Sequence, residues 1–327
     1  MGEHAYAHVP VMAGRVTALL LPAFAGATTD DRPPVLVDAT LGRAGHARLL
    51  LDASPDLQLI GIDADAAAIE AGRALAERYP GRVTVARAFY DDIAAIVARA
   101  GRRRVQAVLF DLGVSSPQLD DASRGFSYAH EAPLDMRMDQ SAELTAEVVV
   151  NTYPAAELAR VLLEYGEERF ARRIAEAVVR ERSREPITGT LRLAGIVKDA
   201  IPAAARRTGG NPAKRTFQAL RIEVNDELGV LRRAVPAALD LLAPGGRMLV
   251  LAYHSLEDRL VKREFVARTE NTTPPGVPLK AADLAASGPP FRLLTRGAER
   301  PDDEELAANP RSASVRLRAI ERIRDAA

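Results

Sequence analysis

Up to residue 111, short apolar runs alternate with stretches in which apolar residues recur every three or four positions. Runs of the first kind are typical of buried strands, and stretches of the second kind are typical of helices. We expect strands at 35–38, 58–63, 82–87 and 105–111, helices at 45–53, 65–79 and 91–100, and an earlier short helix within 8–24. Strands alternating with helices at this spacing predict a doubly wound α/β fold, with a parallel sheet and helices on both faces.

The alternation stops after Asp111 and is replaced by helical periodicity without a convincing strand. Helices are predicted at 145–151, 154–164, 167–184 and 190–200. Prolines and glycines separate these segments. We therefore expect an inserted all-helical domain at 116–215, which divides the sheet domain into 1–115 and 216–327.

The α/β pattern then resumes. Two helices are predicted within 213–242, a turn at Ala243–Gly246, a strand at 247–253, a loop at 270–290 and two last strands at 291–295 and 314–319. A helix should begin in His254-Ser-Leu-Glu-Asp258, with Ser255 as its N-cap and Asp258 three residues later.

Composition narrows the class of protein. A chain of 327 residues with 47% apolar and 27% charged residues is long enough for one large domain or two ordinary ones. The apolar runs are too short to span a membrane, and Glu3 and His4 do not fit the start of a secretory signal. We expect a cytoplasmic protein.

The chain contains no cysteine, which excludes disulfides, thiolate metal sites and thiol nucleophiles and fits a reducing compartment. Its five histidines are scattered without the spacing of a zinc-binding helix, so no metal site is expected. Lys and Arg together number 44, as do Asp and Glu, so any nucleic-acid site must be a local patch.

Three predicted strands end in an acid, at Asp38, Asp63 and Asp111. The carboxyl ends of parallel strands meet at one edge of the sheet, where ligands bind. After the first strand, Gly42 and Gly45 allow a tight turn and close approach to a ligand, and the next helix presents its N-terminal N–H groups. Three carboxylates suit a ligand with a ribose diol and an ammonium group, which favours S-adenosylmethionine (SAM) over NAD.

Each of these positions also has a simpler interpretation. The glycine loop alone fits an ordinary strand-to-helix turn equally well, because Ala44 and Ala47 break the dinucleotide pattern. Asp63, expected to accept from the ribose hydroxyls, could instead cap the next helix, and Asp38, expected to accept from the ligand ammonium, could be a turn residue. Phe89 could stack on adenine or belong to the core.

Polar and basic residues follow in the middle of the chain. Gly113 should allow close backbone approach beside Ser115, Ser116 and Gln118. No acid lies between Ile201 and Ile222. The basic residues of that window could neutralise RNA phosphates or form a solvated helix face, and they are Arg206, Arg207, Lys214, Arg215 and Arg221. Arg137 lies between two methionines that could pack in a core or form an adaptable wall near the site.

Several longer motifs resemble those of the bacterial 16S ribosomal RNA cytosine-N4 methyltransferases. They are Thr40-Leu-Gly-Arg-Ala-Gly-His46, Asp111-Leu-Gly-Val-Ser-Ser-Pro-Gln-Leu-Asp120, Arg124-Gly-Phe-Ser127, Pro133-Leu-Asp-Met-Arg-Met-Asp139, Tyr253-His-Ser-Leu-Glu-Asp-Arg259 and Asn309-Pro-Arg-Ser-Ala-Ser-Val-Arg-Leu-Arg318. The similarity extends from His8 to about Arg322. One departure is Ala44, where many members of that family carry glycine.

The resemblance implies a class I SAM-dependent methyltransferase that modifies N4 of cytosine 1402 in the decoding centre of 16S ribosomal RNA, within the small ribosomal subunit. A homodimer is left open. The residues that it implies for SAM binding are Ala44, Gly45, His46, Asp63, Phe89, Asp111 and Gln118. Asp38 and Gly42 join this set on the strand-end argument, and Arg137 and Ser255 are expected to contact RNA together with the basic window.

For the reaction, the exocyclic amine of cytosine is a poor nucleophile, so an acceptor for one of its N–H groups would help it attack the methyl group. Asp111 is the first candidate, with His254, Ser115 and Ser116 as helpers. Two alternatives are an amine methyltransferase for DNA or protein and a non-catalytic SAM-binding ribosome assembly factor. DNA amine methyltransferases usually carry Asp/Asn-Pro-Pro-aromatic after the fourth strand, where this chain has Asp111-Leu-Gly-Val.

Overall fold

The computed structural model describes residues 10–25, 32–113, 121–207, 211–270 and 288–325, without the side chains of Ala122, Arg207 and Arg311. The chain folds into two compact units. The first comprises Met1–Gly113 with Val230–Ala327, and the second comprises Val114–Gly229.

The second boundary lies after Gly229, whereas the sequence analysis placed it after Arg215. The helix Lys214–Asn225 explains the difference. Its Phe217 and Leu220 are buried in the core of the second unit, so this helix belongs to the helical unit rather than to the sheet.

A seven-stranded sheet forms the first unit, in the order β3-β2-β1-β4-β5-β7-β6. In chain order, β1 to β7 are Val35–Asp38, Gln58–Asp63, Val83–Arg87, Val105–Asp111, Leu242–Ala252, Phe291–Leu293 and Arg316–Arg322. The parallel arrangement predicted from the sequence is confirmed, and β1 to β5 are parallel. The last two strands, for which no orientation was predicted, pair antiparallel. The order reverses between β1 and β4, which makes that edge the expected ligand site.

Helices cover the first unit's sheet and build the second unit. In chain order, α1 to α12 are Ala13–Leu20, Gly45–Ala53, Ala66–Arg78, Ile93–Arg99, Ala146–Thr152, Ala155–Glu164, Ala171–Arg182, Thr190–Ala200, Lys214–Asn225, Glu227–Leu241, Ser255–Thr269 and Asp303–Ala308. Among the described helices, none is long and apolar enough to cross a membrane.

Successive residues of the inner strands point to opposite faces of the sheet, and both faces are buried. Val37 and Val108 pack with residues of α4, α10 and α11. Leu36 and Leu109 pack with residues of α1, α2 and α3. This arrangement confirms the prediction of helices on both faces.

The beginning of β5 differs from the predicted turn at Ala243–Gly246. Leu242 already pairs with Val105 of β4, and pairing resumes between Arg247 and Ala107. The intervening residues form an irregularity of the kind seen at β-bulges, in which one strand holds extra residues. The proline and glycines of this segment therefore interrupt the pairing without ending the strand.

Helices α5 to α9 enclose the core of the second unit. The Thr145 side chain caps α5 by accepting the N–H of Val148 at 3.1 Å. Helix α7 begins at Ala171, later than the predicted 167, because Glu167 has a left-handed backbone with φ of 49°. The carboxylate of Glu168 accepts the N–H of Phe170 at 2.8 Å and closes that turn.

Candidate functional site

The three strand-end acids share one edge of the sheet. Asp38 ends β1 beside Gly61 of β2 and Leu109 of β4. Asp63 ends β2 and Asp111 ends β4. The structure therefore brings together the acids that the sequence pattern selected.

Burial and like charges make this edge electrostatically unusual. Asp38 is only 2% exposed. Burial, together with the charges of Asp111 and Asp63, raises its pKa to about 7, although a hydrogen bond from the Thr40 N–H at 3.2 Å opposes the shift. Burial also raises the pKa of Asp63. A positively charged ligand would therefore stabilise the ionised carboxylates at this edge of the sheet.

Asp63 holds the loop between β1 and α2. Its Oδ2 accepts the Gly42 N–H at 2.9 Å, and its Oδ1 accepts the Asp65 N–H at the same distance. Gly42 has φ of 50°, a conformation that glycine adopts easily. The alternative role of Asp63 as the N-cap of α3 is wrong, since Asp65 accepts the Ala67 N–H and occupies that position.

The start of α2 is tightly packed against its surroundings. Ala44, the N-cap, has a left-handed backbone with φ of 58°. A Cβ atom on Gly45 would lie 2.6 Å from Cγ of Pro10, so glycine is needed for this approach. His46 is buried, and its Nε2 lies 3.7 Å from Oδ2 of Asp111.

Asp111 is fixed through both its backbone and its side chain. Its backbone N–H donates to Oγ1 of Thr40 at 2.6 Å, and its Oδ1 accepts the hydroxyl of Tyr253 at 2.8 Å. Burial raises the pKa of Asp111 to about 7; the Tyr253 hydrogen bond opposes this shift and the charge of Glu257 adds to it. A carboxylate in this setting can accept a proton near neutral pH.

Tyr253 was predicted from the sequence only as part of a motif, without a role of its own. The available signal was its position, a polar aromatic directly after the strong strand β5 and before His254. Gly113 lies against its ring, since a Cβ there would be 3.4 Å from Cδ2 of Tyr253, and its φ is 94°. The backbone of Gly113 thus lies next to Tyr253, and its close approach to a ligand stays a prediction.

Glu257 organises the turn from β5 into α11. Its Oε2 accepts the N–H groups of Tyr253 at 2.7 Å and His254 at 3.2 Å, and its Oε1 lies 3.1 Å from Nε2 of His254. The predicted N-cap at Ser255 is wrong: His254 has the extended backbone of an N-cap, and Ser255 is the first helical residue.

Asp258, predicted to complete the cap, has a different role. Its carboxylate accepts from the guanidinium groups of Arg318, at 2.7 Å, and Arg316, at 3.2 Å. These contacts lower its pKa. Asp258 therefore links α11 to β7 rather than capping the helix.

Among the described residues, Phe89 is the remaining predicted cofactor contact. Phe89 is half-buried after β3, while its neighbour Tyr90 packs edge-on against Phe110 with ring centroids 5.4 Å apart. The adenine contact of Phe89 stays a prediction. Ser115, Ser116 and Gln118 lie outside the described residues.

The predicted RNA-contacting residues of the second unit differ in their availability. Lys214 is exposed in the first turn of α9. Arg215 is exposed and donates to the Glu167 carbonyl at 3.1 Å. Arg206 donates to the carbonyls of Ile201 at 2.8 Å and Asp199 at 3.3 Å. The side chain of Arg207 is outside the described part of the chain.

Arg137 is engaged in its own loop. It pairs with the Asp135 carboxylate at 2.6 Å and donates to the carbonyls of Gln140 and Ala142. The loop is also held by the side-chain amide of Asn225, which bonds the backbone on either side of Arg137. These contacts give Arg137 a structural role, and its contact with RNA stays a prediction.

Of the two methionines flanking Arg137, Met136 is fully buried in the core of the second unit. Arg221, the last basic residue of the window, pairs with Glu227 at 2.7 Å. An acid just outside the window therefore neutralises one of its charges.

The model of the MraW methylase family matches residues 5–323. The chain belongs to the MraW methylase family. Two similar relatives are both called ribosomal RNA small subunit methyltransferase H. The protein from Thermobifida fusca is 55% identical over 99% of this chain and 96% of its own. The protein from Saccharopolyspora erythraea is 58% identical over 98% and 94%.

Among solved structures, the N-methyltransferase NodS from Bradyrhizobium japonicum aligns with 95% of this chain and 96% of its own, at 9% identity and a TM-score of 0.37. This chain has a doubly wound sheet whose sequence is interrupted by a helical unit.

As a member of the MraW methylase family, this chain uses SAM as its methyl donor. The donor set at the strand ends fits that group. SAM carries a sulfonium and an ammonium. Asp38 is buried and Asp111 is largely buried, and a cation would stabilise the ionised forms of both carboxylates. Asp63 can accept hydrogen bonds from the ribose hydroxyls of SAM. The N-terminus of α2 can bind the carboxylate of SAM. When bound, SAM supplies an electrophilic methyl group.

Proposed function

We propose that this protein is a SAM-dependent methyltransferase that places a methyl group on N4 of cytosine 1402 in 16S ribosomal RNA of the small ribosomal subunit. The observation that carries the proposal is the pair of Asp111 and Tyr253, an anchored proton acceptor within the set of carboxylates that suits SAM. The names of relatives at 55% and 58% identity support the RNA substrate.

Asp111 would accept an N–H of the target amine as the nitrogen attacks the methyl group. The amine lone pair is delocalised into the cytosine ring, and partial removal of a proton restores its nucleophilicity. The remaining acceleration would come from holding nitrogen and methyl in line at about 3–3.5 Å. His254 is a second candidate for proton handling.

The composition of the chain favours nitrogen over ring carbon as the methylated atom. Methylation at carbon 5 of cytosine ordinarily requires a cysteine that adds to the ring, and this chain has none. The target base would leave its stack to reach the site, at a cost of a few kcal/mol. Contacts to the phosphates, with Lys214, Arg215, Arg206 and Arg207 as candidates, would offset it.

Two alternatives make different predictions. An amine methyltransferase for DNA or protein would transfer the same methyl group to another polymer. A ribosome assembly factor would bind SAM and the subunit without turnover. The cysteine-free chain and the strand-end carboxylates suit all three, so the substrate has to be tested directly.

The test combines purified protein with methyl-labelled SAM and small subunits from cells in which the encoding gene is deleted. Mass spectrometry of the digested RNA should show labelled N4-methylcytidine at position 1402. Subunits from cells that retain the gene serve as the matched control and should take up no label at position 1402. Labelled 5-methylcytidine, or label only in added DNA or protein, would contradict the proposal.

Binding of SAM and subunits without any label transfer would support the assembly-factor alternative. A parallel reaction with protein-free 16S RNA shows whether naked RNA is accepted. The homodimer is also a proposal, and sedimentation of the full chain tests it. A single species at the mass of one 35.2 kDa chain would contradict it.

A further inference from the structure

The two side-chain oxygens of Asp111 have different neighbours. Oδ1 accepts the Tyr253 hydroxyl at 2.8 Å. Oδ2 lies 3.7 Å from Nε2 of His46, beyond ordinary hydrogen-bond distance. About a quarter of the Asp111 side chain is exposed. The hydroxyl of Tyr253 therefore fixes the rotation of the carboxylate and distinguishes its two oxygens.

Tyr253 is itself held from two directions. Its backbone N–H donates to Oε2 of the buried Glu257 at 2.7 Å. Its ring lies against the backbone of Gly113, where a Cβ atom would be in contact. Because the backbone and the ring are both constrained, the hydroxyl can reach Asp111 without losing much conformational freedom.

We propose that Tyr253 is a positioning residue for methyl transfer: by donating to Oδ1 of Asp111, it holds that carboxylate in its ionised form and leaves Oδ2 for the N–H of the target amine. This inference rests on the proposed function, since it needs Asp111 to accept that proton. Tyr253 touches neither the methyl group nor the amine in this scheme. It acts through Asp111 alone.

The scheme predicts a pH-dependent role. The groups facing Asp111 are His46 from α2, Asp38 from β1, Glu257 from α11 and Tyr253 itself. Glu257 and burial favour the protonated form of Asp111, and the hydroxyl of Tyr253 favours the carboxylate. Loss of the hydroxyl should raise the pKa of Asp111, so the carboxylate would form only at higher pH.

The experiment compares wild type with Tyr253→Phe, in single-turnover methylation of small subunits at saturating SAM between pH 5.5 and pH 9. The acid limb of the rate profile should move up by about one pH unit, the scale of a hydrogen bond to a charged group. The rate at pH 6 should fall by about tenfold, and the rate at pH 9 by less than about threefold. SAM affinity at pH 9 should stay within about threefold of wild type.

Tyr79→Phe is the matched control. Tyr79 donates to the Asp52 carboxylate on the exposed side of the first unit, so this variant loses the same kind of hydrogen bond away from the site. Its pH profile should overlay that of wild type. A Tyr253→Phe profile of unchanged shape but lower height would overturn the proposal and leave Tyr253 with a structural role. A loss that appears in SAM affinity and disappears at saturating SAM would also overturn it.

A second readout separates this proposal from the proposed function. The carboxyl carbon of Asp111, identified in ¹³C spectra by its loss in Asp111→Asn, should titrate at higher pH in Tyr253→Phe than in wild type. If wild type transfers no label to small subunits, the proposed function fails. An unchanged titration of Asp111 would overturn the role of Tyr253 whichever polymer is methylated.

Discussion

The N–H of Gly42 donates to Oδ2 of Asp63 at 2.9 Å, which joins the loop after β1 to the end of β2. Asp63 was expected to bind the ligand or, alternatively, to cap the next helix. It also fixes the loop that precedes α2, so one carboxylate couples the shape of the loop to the cofactor edge. Removal of this side chain should therefore weaken SAM binding in two ways.

We predict that Asp63→Ala lowers SAM affinity by about 1–3 kcal/mol, the range for a lost hydrogen bond to a charged group. Isothermal titration calorimetry at pH 7.5 measures it. Asp56→Ala, at an exposed acid before β2, is the control and should bind as wild type does. Equal affinities for Asp63→Ala and wild type would remove Asp63 from the cofactor site.

SAM binding should release protons near neutral pH. The pKa values of Asp38 and Asp111 are raised to about 7, so both groups are partly protonated there. A cationic ligand favours their ionised forms, so affinity should rise between pH 6 and pH 8. Calorimetry in two buffers of different ionisation enthalpy counts the protons. Asp38→Asn should release fewer, and identical heats in both buffers would contradict the prediction.

The same acids should make the SAM-free protein less stable as pH rises. Their pKa values are higher in the folded protein than the usual 3.8. A raised carboxyl pKa contributes stability that is present below the unfolded value and is lost as pH rises through about 7. The midpoint of thermal unfolding should thus fall between pH 6 and pH 8, and less so in Asp38→Asn. A midpoint that rises equally in both proteins would contradict the raised pKa values of these two acids.

Asp111→Asn preserves size but weakens the acceptor. If Asp111 accepts the N–H of the amine, single-turnover methylation at saturating SAM should slow by about 10²-fold or more. SAM affinity should change much less, because the other carboxylates remain. A near-normal rate at saturating SAM would leave Asp111 as a cofactor ligand and make His254 the next residue to test.

Charge reversal at Lys214 and Arg215 should weaken subunit binding and flatten its dependence on salt, since fewer counterions are released. SAM affinity should stay unchanged. Filter binding between 50 and 300 mM salt, over which the Debye length shortens by a factor of about 2.4, measures the subunit affinity and its dependence on salt. Reversal at Arg73 and Arg78, exposed on α3, is the matched control. A parallel fall in SAM affinity would indicate misfolding instead.

The sequence correctly predicted the elements that are determined by residues close together along the chain. The strands that end in Asp38 and Asp111 have the predicted bounds. Their carboxylates meet because parallel strands share an edge, which follows from the α/β alternation. The segment Ala243–Gly246 interrupts the pairing with β4, as its proline and glycines favour, but β5 extends on both sides of it because Leu242 and Arg247 both pair with β4.

The features that sequence reasoning missed depend on distant contacts or on backbone angles. Tyr253 and Asp111 are 142 positions apart, and no local pattern pairs them. Ser255 has the better side chain for an N-cap, but the extended backbone of His254 and the reach of Glu257 decide the position. The predicted boundary separated most of helix α9 from the helical unit, because the sequence pattern of its buried face is the same as that of a helix that covers a sheet.

Ala44 adopts the left-handed conformation that residues with a Cβ atom disfavour, at a cost of about 1 kcal/mol. Such a conformation persists only where the surroundings impose it. Here the Ala44 N–H donates to the Leu41 carbonyl at 2.7 Å and the Gly42 N–H donates to Asp63 at 2.9 Å, so the contacts that hold the loop belong to the protein and not to the ligand. The loop is thus preorganised, and SAM would meet a binding surface whose ordering entropy was already lost when the chain folded.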